Sequence, residues 1–193
     1  MIYSLPIIAY LIGSISSAII VARILRLPDP RTVGSGNPGA TNILRSGSKS
    51  AAAVTLTGDL LKGVIPVVLA RYLDVEPILM AAVMLTAFLG HLFPIFFRFQ
   101  GGKGVATAFG VYLGLNPWLA LLLAAVWLGV AIIGRYSSLA ALTAAVVAPF
   151  LLGFFGFAVP IVACGILITV LLLWRHKANI NRLIRGEESK IGQ

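Results

Sequence analysis

Charge is scarce in this sequence, and negative charge is scarcest. Of 193 residues only 11% are Asp, Glu, Lys or Arg, and six acidic residues face fifteen basic ones. Together with 59% hydrophobic residues, this excludes a soluble domain and indicates an integral membrane protein. The single cysteine, Cys164, lies in an apolar run. It excludes an intramolecular disulfide and a multi-thiolate metal centre, and reads as a small packing residue. The net charge of +9 is spread between apolar runs rather than gathered on one amphipathic face, so membrane topology explains it better than nucleic acid. No fixed-period repeat is visible and no soluble domain is left between the apolar runs, so one compact bundle over residues 1–193 is expected. The first run, Ile2 to Ala22, lacks a basic leader and is longer than a signal-peptide core, and it reads as a retained span.

What is present is a series of apolar segments: Ile2 to Ala22, Ser50 to Tyr72, Pro77 to Phe97, Val105 to Leu115, Trp118 to Ile133, Leu139 to Phe155 and Ala158 to Trp174. They predict an all-α, polytopic bundle with seven transmembrane helices. The fourth is short even if it starts at Gly101, at about 22 Å for a hydrocarbon core of about 30 Å, so it should begin inside the protein. With seven crossings, thirteen loop cations (Arg23, Arg26, Arg31, Arg45, Lys49, Arg98, Lys103, Arg135, Arg175, Lys177, Arg182, Arg185 and Lys190) share one side, and Arg71 alone lies on the other. The excess marks the cytoplasmic face, with the N-terminus outside and the C-terminus inside.

Three polar stretches then fall on that one face and can build one site. The first is Gly34-Ser35-Gly36-Asn37-Pro38-Gly39-Ala40-Thr41-Asn42, a run of turn formers able to aim several N–H groups at an anion. The second is Gly101-Gly102-Lys103-Gly104, followed at once by the short fourth helix. Its N-terminal amides and partial positive charge, with Lys103, suit a phosphate. The spacing is not that of a Walker A loop, and no strand precedes it. The third is the basic tail from His176 to Lys190. As a helix continuing from the last span, it sets His176, Asn179 and Arg182 along one edge, with Glu187 and Glu188 beyond it.

Inside the second segment, Asp59 and Lys62 are three apart on one helix face, which fits either a functional site or a mutually neutralising pair. An ion or phosphate transporter would also use such a pair with cationic loops, but repeated halves with interrupted helices are not seen. His91, in Gly90-His91-Leu92-Phe93-Pro94, reads as a packing residue.

Taken together these stretches closely resemble the PlsY family, bacterial membrane acyltransferases. The match covers nearly the whole chain: Gly34 to Asn42 with Arg45, then Gly90-His91 through Gly101-Gly102-Lys103-Gly104-Val105-Ala106-Thr107, then His176, Asn179, Arg182, Gly186 and Glu188. The resemblance implies transfer of a fatty acyl group from acyl phosphate to the sn-1 hydroxyl of glycerol 3-phosphate, giving lysophosphatidic acid and inorganic phosphate. It implies an inner-membrane enzyme with a cytoplasmic site, the membrane lipid around it, no cofactor, no metal, no nucleic acid and no obligate protein partner. Ser35, Lys103, His176 and Asn179 are the expected catalytic set. Gly34, Gly36, Asn37, Gly39, Thr41, Asn42, Arg45, Gly101, Gly102, Gly104 and Arg182 are the expected phosphate-binding residues. Acyl phosphate is an activated anhydride, so Ser35 reads as a binding group rather than a nucleophile. No His-x-x-x-x-Asp pair of the acyl-CoA type exists, since His91 leads to Phe96 and His176 to Asn181. The general base is either His176 or the dianionic phosphate of the substrate itself.

Overall fold

A computed structural model describes residues 2–46 and 48–192 and, among them, shows helices and no strands. Contacts divide the chain into two compact units, one ending at Leu115 and one starting at Asn116. The first contains α1 (Leu5–Gly13), α2 (Ser17–Ile24), α3 (Ala40–Arg45), α4 (Lys49–Tyr72), α5 (Pro77–Leu92) and α6 (Val105–Leu115). The second contains α7 (Pro117–Gly134), α8 (Ser137–Phe154), α9 (Val159–Arg175) and α10 (Lys177–Arg185).

Helix starts follow local chemistry. The Ser48 hydroxyl accepts the Ala51 N–H at 3.2 Å and caps α4. The Asn116 side chain accepts from Trp118 and Leu119 ahead of α7, whose first residue is a proline. Among the described residues, four helices are long and apolar enough to cross a membrane: α4, Pro77–Phe97, α7 and α8. The number rises to six if each of two bent pairs is one span, α1 with α2 at 40° and α9 with α10 at 60°. The α6 helix has 11 residues, the length expected from the sequence. Outward faces carry large apolar side chains such as Ile133, Phe150 and Val159, which suits contact with lipid.

The first apolar run departs from the expected single helix. It breaks at Ser14-Ile15-Ser16, so α1 and α2 are separate elements. Within the first unit, helices approach closely through small residues. A Cβ at Gly110 would collide with the Leu60 carbonyl, and one at Gly63 with the Thr107 carbonyl, so α4 and α6 meet backbone to backbone. Gly13 and Gly90 do the same for α1 and α5, against the carbonyls of Ala87 and Tyr10. In the second unit, the buried Thr169 hydroxyl of α9 donates to the Ala145 carbonyl of α8 at 2.7 Å. Cys164 is buried on α9, as a packing residue would be.

Candidate active site

The first glycine stretch is shaped by its own side chains. Ile43 of α3 is buried in a cluster with Ala18 and Ala22 of α2 and Ala51 and Ala52 of α4, which fixes the helix that follows the loop. Asn42 beside it is also buried. Its Nδ2 donates to the carbonyls of Pro30 at 2.7 Å and Val33 at 3.0 Å, and its Oδ1 accepts the Ser35 N–H at 3.0 Å. This corrects the expectation of Asn42 as a phosphate donor, because both of its N–H groups are committed to the loop. The amides of Gly36 and Gly39 are similarly used, donating to Val33 at 3.1 Å and Asn37 at 2.9 Å. The row of free backbone donors expected there is therefore shorter. The side chains of Ser35, Thr41 and Arg45 are exposed. Ahead of the loop, Arg31 grips Asp29 through Nε at 3.0 Å and Nη2 at 2.6 Å. That hydrogen-bonded guanidinium holds the Asp29 carboxyl below its ordinary value.

The second glycine stretch is shaped by what surrounds it. Arg98 (φ 55°) and Phe99 (φ 59°), neither a glycine, turn the chain back in the left-handed region. The Gly102 N–H then reaches the His91 carbonyl at 3.2 Å. A Cβ on Gly102 would land on the His91 ring and stand 3.1 Å from the Pro38 carbonyl, so the two glycine stretches come together at this residue. Gly104 has φ +88° and lies against Phe88 and Leu92, after which α6 begins. Lys103 is half-buried at that helix start, where the N-terminal amides of α6 attract an anion.

Beneath the loops lies a buried polar cluster. Lys62 Nζ sits 2.8 Å from Asp59 Oδ1, with both side chains about 5% exposed or less. It also donates to the Ile15 carbonyl at 2.9 Å, one of the groups released by the break between α1 and α2. His91 Nδ1 lies 3.8 Å from the same carboxylate oxygen, and the Thr107 hydroxyl donates to the Asp59 carbonyl at 2.9 Å.

The second unit gathers the tail residues around a carboxylate. His176 Nδ1 is 2.9 Å from the Leu172 carbonyl. A carbonyl only accepts, so Nδ1 carries a hydrogen. Asn179 Nδ2 donates to Glu188 Oε1 at 2.6 Å, Arg182 Nε to Oε2 at 2.7 Å, and the Ser138 hydroxyl to Oε1 at 2.7 Å. The expectation that Glu188 lies beyond the polar edge is thus overturned. Gly186, at φ +71°, ends α10 in the left-handed conformation and lets the chain fold back over it. Burial pushes the Glu188 carboxyl up, but the hydrogen bonds from Ser138, Asn179 and Arg182 outweigh it and hold the group below its ordinary value. Glu188 belonged to the third matching stretch but had been given no role, and Ser138 was not expected at all; the glycine just past the helix was the sequence signal for the return of Glu188.

Comparison with known proteins places these residues in context. The family model described as glycerol-3-phosphate acyltransferase matches residues 3–186. A glycerol-3-phosphate acyltransferase of Thioalkalivibrio sulfidiphilus is 58% identical over 184 residues, 95% of this chain and 91% of the relative. One from Nitrosospira multiformis is 56% identical, over 96% of this chain and 94% of the relative. Two crystal structures of PlsY, an integral membrane glycerol 3-phosphate acyltransferase, share the fold. The glycerol 3-phosphate form has a TM-score of 0.93 at 42% identity, and the lysophosphatidic acid form 0.90 at 41%. Each covers 97% of this chain, which spans 94% of each.

Proposed function

This chain belongs to the glycerol-3-phosphate acyltransferase family of multi-pass membrane proteins, and from that membership we propose that it moves a fatty acyl group from acyl phosphate to the sn-1 hydroxyl of glycerol 3-phosphate. The products are lysophosphatidic acid and inorganic phosphate. The carrying observation is that a protein 42% identical has been crystallised in glycerol 3-phosphate and lysophosphatidic acid forms, two molecules that differ by one acyl group. Acyl phosphate as donor is supported by the chemistry of the chain: it offers no His-x-x-x-x-Asp pair, and a mixed anhydride needs no covalent intermediate.

In the proposed step, the sn-1 oxygen attacks the acyl carbonyl carbon and the bond from that carbon to the phosphate oxygen breaks. Ser35 and the neighbouring loop hold the donor phosphoryl group, while Arg45, Lys103, His176 and Asn179 hold glycerol 3-phosphate and Arg182 supports them. The proton leaving the hydroxyl goes to the substrate's own phosphate, whose second pKa near 6 suits the task. Glu188 is a poor rival, because a carboxylate receiving three hydrogen bonds is a weak base. The acyltransferase domain we propose extends over residues 1–193. The topology we propose has seven crossings, α6 being a short one, with an external N-terminus and the reaction on the cytoplasmic side of a bacterial inner membrane.

The decisive experiment supplies purified protein with glycerol 3-phosphate and either acyl phosphate or acyl-CoA. Lysophosphatidic acid is expected only with acyl phosphate, and formation from acyl-CoA alone would overturn the donor assignment. His176→Gln should keep measurable turnover with a pH profile still governed by phosphate ionisation. Loss of that ionisation would return the role of base to His176. Cysteines placed at Ser48 and Ser189 should be labelled from the same face of the membrane.

A further inference from the structure

We propose that the buried Asp59–Lys62 pair is a positioning device for both glycine stretches, acting through His91. The proposal rests on the functional reading above for what those stretches bind. Lys62 is held on one side by Asp59 at 2.8 Å and on the other by the Ile15 carbonyl at 2.9 Å, in the gap just before α2, the helix that leads to the first stretch. The Asp59 carboxylate faces the His91 ring at 3.8 Å, and its carbonyl receives Thr107 from the first turn of α6, the helix that leaves the second stretch. A Cβ at Gly102 would meet both the His91 ring and the Pro38 carbonyl. The ion pair on α4 therefore reaches the element entering the first stretch and faces the ring on which the two stretches meet, while the Asp59 backbone holds the element leaving the second.

Energetics favour this role over simple cohesion. An ion pair among apolar spans contributes little net stability compared with well-packed apolar residues of the same size. What it does supply is direction. An ammonium that must satisfy a carboxylate and a carbonyl together admits one arrangement of α4 against the break between α1 and α2, where greasy side chains would tolerate several. Small displacements of the phosphate-binding groups matter because misplacement by about 1 Å can cost about 100-fold in rate.

The test compares the paired substitution Asp59→Asn with Lys62→Met, which removes both charges at similar volume, with His91→Leu and His91→Gln. Three quantities are read: thermal midpoint, steady-state kinetics, and amide hydrogen exchange over residues 101–104. The paired variant should melt close to the parent, yet raise KM for glycerol 3-phosphate by about tenfold or more with kcat changed far less. Exchange over 101–104 should quicken by about tenfold. His91→Leu should reproduce both changes, His91→Gln should restore most of each, and combining His91→Leu with the paired variant should add little, as expected for residues acting in one chain. A purely structural role predicts a lower midpoint with parental KM and parental exchange, and that result would overturn the proposal. If the paired variant does not fold, the exchange of His91→Leu alone decides. If the parent makes no lysophosphatidic acid, the functional reading fails, while exchange still judges the positioning role.

Discussion

The two glycine stretches of the first unit look alike as sequence and are built on opposite plans. Residues 34–42 are shaped from within, by a buried asparagine whose side chain makes three hydrogen bonds to its own loop. Residues 101–104 are shaped from without, by the His91 ring, the Phe88 ring and Leu92 pressing on bare backbone. In the first, then, glycine grants the backbone its turns, and in the second it mostly clears room for neighbours. A rich glycine content therefore does not by itself mark a place where a ligand meets the main chain.

The largest expected effect on this contrast comes from filling the second stretch. Gly104→Leu would force a side chain into the left-handed region and into Phe88, at roughly 2–5 kcal/mol from backbone strain and overpacking combined. Melting in detergent should fall steeply, so the variant probes folding as much as phosphate binding. Lys103→Ala should leave melting near the parent but lower kcat/KM for glycerol 3-phosphate by about 10–150-fold, the worth of one hydrogen bond to a charged group at about 1.5–3 kcal/mol. Asn42→Ala should cost about 1–2 kcal/mol, since water can reach part of the loop it staples, and should loosen residues 30–42 without touching 101–104. Hydrogen exchange would show whether the damage is confined in this way. If it spread equally to both stretches, the distinction between internal and external shaping would fail.

The smallest effect concerns acid. Glu188 has a folded-state pKa held below its unfolded value, so its contribution is fully present above the ordinary carboxylate value of 4.5 and lost as the pH falls through the lower folded value. Limited proteolysis after Gly186 should stay slow at neutral and mildly acidic pH and rise only below the ordinary carboxylate range. Glu188→Gln should flatten that response.

Local features were legible in the sequence and distant ones were not. The bounds of α6, the proline start of α5 and the packing role of Cys164 follow from residues within a turn or two of each position. The break at Ser14-Ile15-Ser16 has no proline or charge to announce it, because the group that satisfies its carbonyl comes from another helix. The commitment of Asn42 to its loop was hidden for a related reason: an asparagine in a turn reads equally well as a donor to a ligand or to the chain. The return of Glu188 depended on Gly186 adopting a left-handed conformation, which a helical projection carried straight through would miss.

The break between α1 and α2 also bears on how the protein is made. A chain is made from its N-terminal end, so α1 and α2 arrive with the Ile15 carbonyl unmatched, and its partner follows 47 residues later. The lysine travels with an aspartate one helical turn ahead of it, so the insertion machinery handles a compact dipole rather than a bare cation. The polar contact at the break between α1 and α2 is thereby completed only when α4 has been made. Nascent chains halted before Lys62 should hold that first segment loosely, as a loan that the following helix redeems.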